Sequence, residues 1–149
     1  MKNRIIVLGN ENFQREVYKD GFCNLYNDNK YLNTLYKKYD IDNFSNAKLT
    51  SEKALSFLKI FTKIYKYDAC VLVLGDSDIS DNKTCDLEKN LDEIVSLLIS
   101  FDIKPVIIND KNYYNNYEAL ESKIEKLLKK YNLNVAKENS DKLNLKYGF

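Results

Sequence analysis

Short unbroken apolar runs alternate along this chain with longer stretches in which apolar residues recur every three or four positions. The runs have the length of strands buried on both faces, and the periodic stretches read as amphipathic helices. The first strand is Ile5 to Leu8, closed by Gly9. A helix is expected broadly from Asp20 to Lys38, where Phe22, Leu25, Tyr26, Leu32 and Leu35 stand at roughly helical spacing. "YDIDNF" is a short second strand. Thr50 or Ser51 then caps a helix in "SEKALSFLKIFTKI", which sets Ala54, Leu55, Leu58, Phe61 and Thr62 on one face.

The third strand is Ala69 to Leu74, followed by a loop, "GDSDISDNKT". The helix "DLEKNLDEIVSLLISF" carries the stripe Leu87, Leu91, Ile94, Val95 and Leu98. "KPVIIND" is the fourth strand, with Pro105 tolerated at its start. "NYEALESKIEKLLKKY" is another amphipathic helix, and "LNVAK" a short last strand. This order predicts one α/β domain over residues 1–149. Its expected form is a three-layer α/β/α sandwich around a five-stranded parallel sheet, in a flavodoxin-like layout.

Composition narrows the function. The chain of 149 residues has a formal net charge of +1, which speaks against a nucleic-acid or membrane-surface partner. "MKNR" leads directly into the first strand without an apolar leader, and the three cysteines form no disulfide framework, so a cytoplasmic location is expected. Cys70 reads as a core residue, and Cys85 lies in a polar loop with no nearby base. There is no histidine. Its absence removes Ser-His-Asp and Cys-His catalysis in their usual forms, and with them the commonest transition-metal ligand. No metal or cofactor is expected.

In such sheets ligands sit beyond the carboxyl ends of the strands. The segments to question are therefore Gly9 to Asn12, Phe44 to Lys48, Gly75 to Asp78, Asn109 to Asp110 and Lys137 to Asn139. Within "VLVLGDSDIS", Gly75-Asp76-Ser77 has the letters of a serine-esterase nucleophile turn. The rest of the chain assigns it differently. "IIVLGNEN", "YKDGFCNLYND", "NFSNAKLTS", "YDACVLVLGDSD", "LEKNLDEIVSLLISFDIKPVIIND" and "ESKIEKLLKKYNLNVAK" follow one another as the segments of the SGNH/GDSL hydrolase family do, and the chain resembles that family over most of its length. The nucleophile of that family follows the first strand. Gly75-Asp76-Ser77-Asp78 follows the third, and therefore resembles the family's G-x-N-D turn.

The resemblance implies a set of lost catalytic groups. The nucleophilic serine falls on Glu11, with Asn10 in place of the preceding aspartate. The glycine whose backbone N–H helps form the oxyanion hole falls on Lys48. The asparagine donor to the oxyanion falls on Ser77, while Gly75 and Asp78 keep the family's identities. The tail "ENSDKLNLKYGF" holds no counterpart of the carboxyl-terminal Asp-x-x-His pair. A glutamate supplies no acyl-accepting hydroxyl, and its charge opposes a developing oxyanion.

The expected function is that of a non-catalytic SGNH-hydrolase-like protein which binds a small polar or anionic ligand, or a protein partner, at the former active site. Lys48 would pair with Glu11 or Asp78, or hold an anion, because an ammonium in a partly enclosed site needs a partner. The alternative is an esterase with a rebuilt site, using Ser45 or Ser77 with Lys48 as base. Two further readings attach to the acidic loops: a hard cation gathered by Glu11, Asp76, Asp78 and Asp81, or a receiver-like domain with Glu11, Asn12, Asp76 and Lys137. Tyr113, Tyr114 and Tyr117 either rim the pocket or pack into the core.

Overall fold

Ile5, Ile6, Val7 and Leu8 are all buried, so the strand they form is covered on both faces, as a continuous apolar run requires. It is β1 (Arg4–Leu8), an inner strand of a parallel sheet. The computed structural model describes residues 3–19, 22–26 and 29–133. Around β1 lie β4 (Asp40–Asn43), β5 (Ala69–Leu72) and β6 (Lys104–Ile107), in the order β4-β1-β5-β6 and all parallel. Val7 stands opposite Asn43 on one side and Val71 on the other, and Val71 opposite Val106.

Among the described residues lie five α-helices: α1 (Lys30–Lys38), α2 (Ser51–Ile64), the short α3 (Asp76–Ser80), α4 (Leu87–Ser100) and α5 (Tyr117–Lys130). α2 packs on α4, and α4 on both α5 and β6, which makes one helical layer. The crossover through α1 runs from β1 outward to β4, opposite in direction to those through α2 and α4. Right-handed crossovers then place α1 on the other face. Thr50 caps α2 by accepting from the Lys53 N–H, and Ala54, Leu55, Leu58 and Thr62 are buried beneath it. The α4 stripe Leu87, Leu91, Ile94, Val95 and Leu98 is buried in full.

Three expectations need correction. The expected helix from Asp20 to Lys38 is helical only from Lys30, where Asn29 caps it through the Leu32 N–H. Ahead of it lies an antiparallel hairpin, β2 (Glu16–Lys19) and β3 (Phe22–Tyr26). The two strands flank Asp20-Gly21, a dipeptide suited to a two-residue hairpin turn, and that local signal prevails over loose helical spacing. The parallel sheet has four strands among the described residues instead of five. Leu133 is not in a strand, and the remainder of the expected last strand, residues 134–137, lies outside the described residues, as does the segment 137–139. Finally, the expected loop from Gly75 opens as the helix α3.

Candidate functional site

The turn after β1 begins at Gly9, where a Cβ would stand 2.9 Å from the Phe13 Cβ and 3.0 Å from the Ser45 Oγ. No larger residue fits unless those neighbours move. Asn10 follows and caps the 3₁₀ turn Glu11–Phe13, its Oδ1 accepting the Asn12 N–H at 2.9 Å. Asn10 is buried, and its amide donates to Asp76 Oδ2 and to the Tyr113 carbonyl, both at 2.7 Å. Its donors and acceptor are thus all engaged by the chain, as a buried amide requires.

Asp76 is the second centre of this network. The turn that presents it starts at Gly75, which adopts φ +119°, and any Cβ there would meet Leu120 Cδ2 at 2.5 Å. Besides Asn10, the Asp76 carboxylate accepts the backbone N–H groups of Asn115 and Asn116, each at 2.9 Å. One buried carboxylate therefore fastens the turn after β1 and the loop after β6 to the start of α3. Asn12 adds a 3.0 Å bond from its side chain to the Tyr113 carbonyl.

Asp78 faces a different partner. Its two oxygens accept the Ser51 N–H at 2.8 Å and the Ser51 hydroxyl at 2.6 Å, and Asn90 donates to that hydroxyl at 3.1 Å. A carboxylate on the first N–H of α2 also meets the positive end of the helix dipole. Ser77 is buried between these two aspartates.

Glu11 and Lys48 differ from both. Glu11 is exposed, and its Oε1 accepts the Asn115 side-chain amide at 2.6 Å. Lys48 is exposed as well. Its backbone is held by Asn46 and Lys53, and its ammonium pairs with neither Glu11 nor Asp78. The expected Lys48 ion pair is not formed: both oxygens of Asp78 are engaged by Ser51, and Glu11 meets Asn115 and no lysine.

The tyrosines after β6 resolve into packing. The Tyr113 ring meets Phe13 edge-on at 5.2 Å and tilts against Tyr31 at 6.4 Å. Tyr114 donates to the Ile108 carbonyl at 2.6 Å, and burial pushes its phenol far above the ordinary tyrosine range, with the Asp76 and Tyr117 charges adding to the shift. Tyr117 donates to Asn109 Oδ1 at 2.8 Å. Among the described residues no group of three or more acidic, cysteine or histidine side chains is arranged to hold a metal ion.

Asn115 and Asn116 were not singled out from the sequence, and Ser51 was expected only as a helix cap. The asparagine run in "NYYNNY" was the available signal for the first two. Ser45, the rebuilt-site candidate, keeps its Oγ buried beside Gly9 without a hydrogen-bond partner.

Four parallel strands, with the turns after β1 and β5 joined at their carboxyl ends, form an α/β fold that is similar to the fold of SGNH hydrolases. No protein-family model matches the sequence, and neither does any curated protein; the likeness lies in three dimensions. The chain is similar to the psychrotrophic esterase EstA from Pseudoalteromonas sp., seen in a structure inhibited by monoethylphosphonate, with a TM-score of 0.68 and 18% identity over 91% of this chain and 77% of that one. TesA superposes with a TM-score of 0.66 and 17% identity, over 89% of this chain and 77% of that one. AlinE4, an SGNH-hydrolase family esterase, gives 0.66 and 17% over 91% and 76%. Among the described residues no helix is long and apolar enough to cross a membrane.

Proposed function

We propose that this chain is a non-catalytic SGNH-hydrolase-like domain that binds a small polar ligand or a protein partner through the turn after β1. The observation that carries the reading is Glu11, an exposed carboxylate on the turn where the family resemblance calls for the nucleophilic serine. A carboxylate there repels an oxyanion, and the chain has no histidine to activate any hydroxyl. Removing one oxyanion donor costs about 100- to 1,000-fold in rate, and against the family resemblance the nucleophile, the base and the asparagine donor are all replaced here. The network around Asp76 supports a binding role, because it holds the turn in place without consuming the second oxygen of Glu11. The free thiols of Cys70 and Cys85 suit a reducing compartment such as the cytoplasm.

The second reading is an esterase rebuilt on Ser45 or Ser77. It is favoured by the esterase neighbours and by the unpartnered Ser45 hydroxyl, and opposed by the exposure of Lys48, its only proposed base. Incubation with short acyl esters and with a fluorophosphonate probe decides between the two. The non-catalytic reading expects neither turnover nor labelled serine; stoichiometric labelling of Ser45 or Ser77 would overturn it.

A further inference from the structure

We propose that Asn115 is a built-in occupant of the Glu11 carboxylate, and that the ligand of this turn donates N–H groups in its place, as an ammonium or a carboxamide does. The proposal rests on the reading of this turn as a binding turn and names the chemistry it takes.

An ionised carboxylate only accepts hydrogen bonds, so its natural partner is a donor. The chain itself supplies one: the Asn115 Nδ2 stands 2.6 Å from Glu11 Oε1. No lysine or arginine pairs with Glu11 among the described residues. The adjoining Asn10 is bonded to Asp76, a second carboxylate, which is buried. Two acidic groups on joined turns disfavour an anion and favour a cation or a neutral N–H donor.

The arrangement also separates what is fixed from what can move. The backbone N–H groups of Asn115 and Asn116 are held by Asp76, and the Tyr113 carbonyl is held by Asn10 and Asn12. The Tyr113 ring is buried against Phe13. The loop backbone is thereby pinned at three successive places. The Asn115 side chain is exposed, and rotation about its own torsions vacates Glu11 without disturbing that frame. An exposed hydrogen bond contributes little net stability, so a ligand that re-forms it displaces Asn115 at small cost.

The test is an NMR titration of the whole protein with ethylammonium and acetamide as probes and acetate as the contrasting anion. It uses the parent protein, Asn115→Ala and Glu11→Gln. Both altered side chains are exposed, and a matching melting temperature confirms that the fold is kept. The expected result is saturable shifts centred on residues 10–12 and 115, with affinity for ethylammonium roughly 2- to 10-fold tighter once the internal competitor is removed. Binding should be lost in Glu11→Gln, and acetate should produce no saturable shift. Equal affinity in the parent and Asn115→Ala would overturn the competition, and binding that survives Glu11→Gln would overturn the site. Absence of saturation by either probe in Asn115→Ala would overturn the ligand class while leaving the non-catalytic reading untouched, since that reading is decided by ester turnover and serine labelling.

Discussion

Asn10 and Asp76 stand 66 positions apart in sequence and share a 2.7 Å side-chain hydrogen bond at the carboxyl ends of neighbouring strands. Neither residue could do this alone. Parallel pairing of β1 with β5 brings the two turns together, Gly75 permits the φ that starts α3, and Asn10 then spends both amide protons across the gap. The bond fixes where Glu11 and Ser77, each one residue further along, are presented.

Removing Asp76 should therefore loosen the whole rim. Asp76→Ala leaves the Asn115 and Asn116 N–H groups and the Asn10 amide short of an acceptor. Hydrogen bonds to a charged group contribute about 1.5–3 kcal/mol, and a combined loss of roughly 3 kcal/mol is expected in denaturant unfolding. Hydrogen exchange should accelerate at Asn115 and Asn116 and stay unchanged in the β1 core. Unchanged protection at those two amides would contradict the role given to Asp76.

Gly75→Ala should be destabilising for two separable reasons. The left-handed φ of +119° strains any residue with a Cβ, and that Cβ would overlap Leu120. Together these are worth roughly 2–4 kcal/mol. Adding Leu120→Ala relieves the overlap alone, so the double variant should lose less than the sum of the single losses.

The inner strands and the main helices were legible because they are runs of apolar residues with one unambiguous period. Ile5 to Leu8 and the Leu87 to Leu98 stripe are buried as their spacing requires. The segment before α1 was misread because Phe22, Leu25 and Tyr26 fit a loose helical spacing as well as a strand, and only the Asp20-Gly21 pair distinguishes them. At the site, position after a strand located Asn10, Asp76 and Asp78. Their pairing was not legible: the asparagine run marks Asn115 and the helix start marks Ser51, but which carboxylate each one meets is set by tertiary packing. The absence of a Lys48 ion pair was equally illegible, because the engagement of Asp78 by Ser51 and the exposure of Lys48 are properties of the fold and not of the local sequence.

Lys48→Met should accordingly change stability by no more than roughly 0.5 kcal/mol, the scale of an exposed residue without a specific contact. Melting series with small phosphates and carboxylates should give the same response in both proteins. An anion-dependent stabilisation lost in Lys48→Met would restore this residue to the site.

Alkaline conditions should unfold the protein partly through Tyr67. Burial first, then the hydrogen bond and charge of Asp42, hold its phenol far above the ordinary range, against a smaller opposing effect of Arg4. The folded pKa exceeds the unfolded value of about 10. This contribution is therefore complete below pH 10 and is lost as pH rises beyond it, because only the unfolded chain ionises readily. Tyr67→Phe should lower stability by about 1 kcal/mol at neutral pH through the lost bond to Asp42, yet show a shallower decline above pH 10. An identical alkaline slope in both proteins would show that Tyr67 does not carry the effect.

Under the proposed reading, a serine placed at position 11 should not confer hydrolysis. Glu11→Ser places a hydroxyl on the turn after β1, where the Asn10 and Asp76 frame would still hold it. Activation of that hydroxyl needs a base, and the chain contains no histidine. Asp76 and Asp78 are poor substitutes, since both oxygens of each carboxylate already accept hydrogen bonds from the Asn115, Asn116 and Ser51 groups that hold the fold. The oxyanion side is equally incomplete, because the Lys48 N–H, where the family resemblance calls for a glycine donor, is bonded to Asn46 Oδ1 at 2.8 Å. We expect Glu11→Ser to remain inactive on short acyl esters and unlabelled by fluorophosphonates, while losing the ammonium binding of the parent. Turnover by Glu11→Ser, even a thousand-fold below an ordinary esterase, would mean that a competent base and oxyanion hole survive in this fold, and would move the parent from a non-catalytic domain to an enzyme blocked by one side chain.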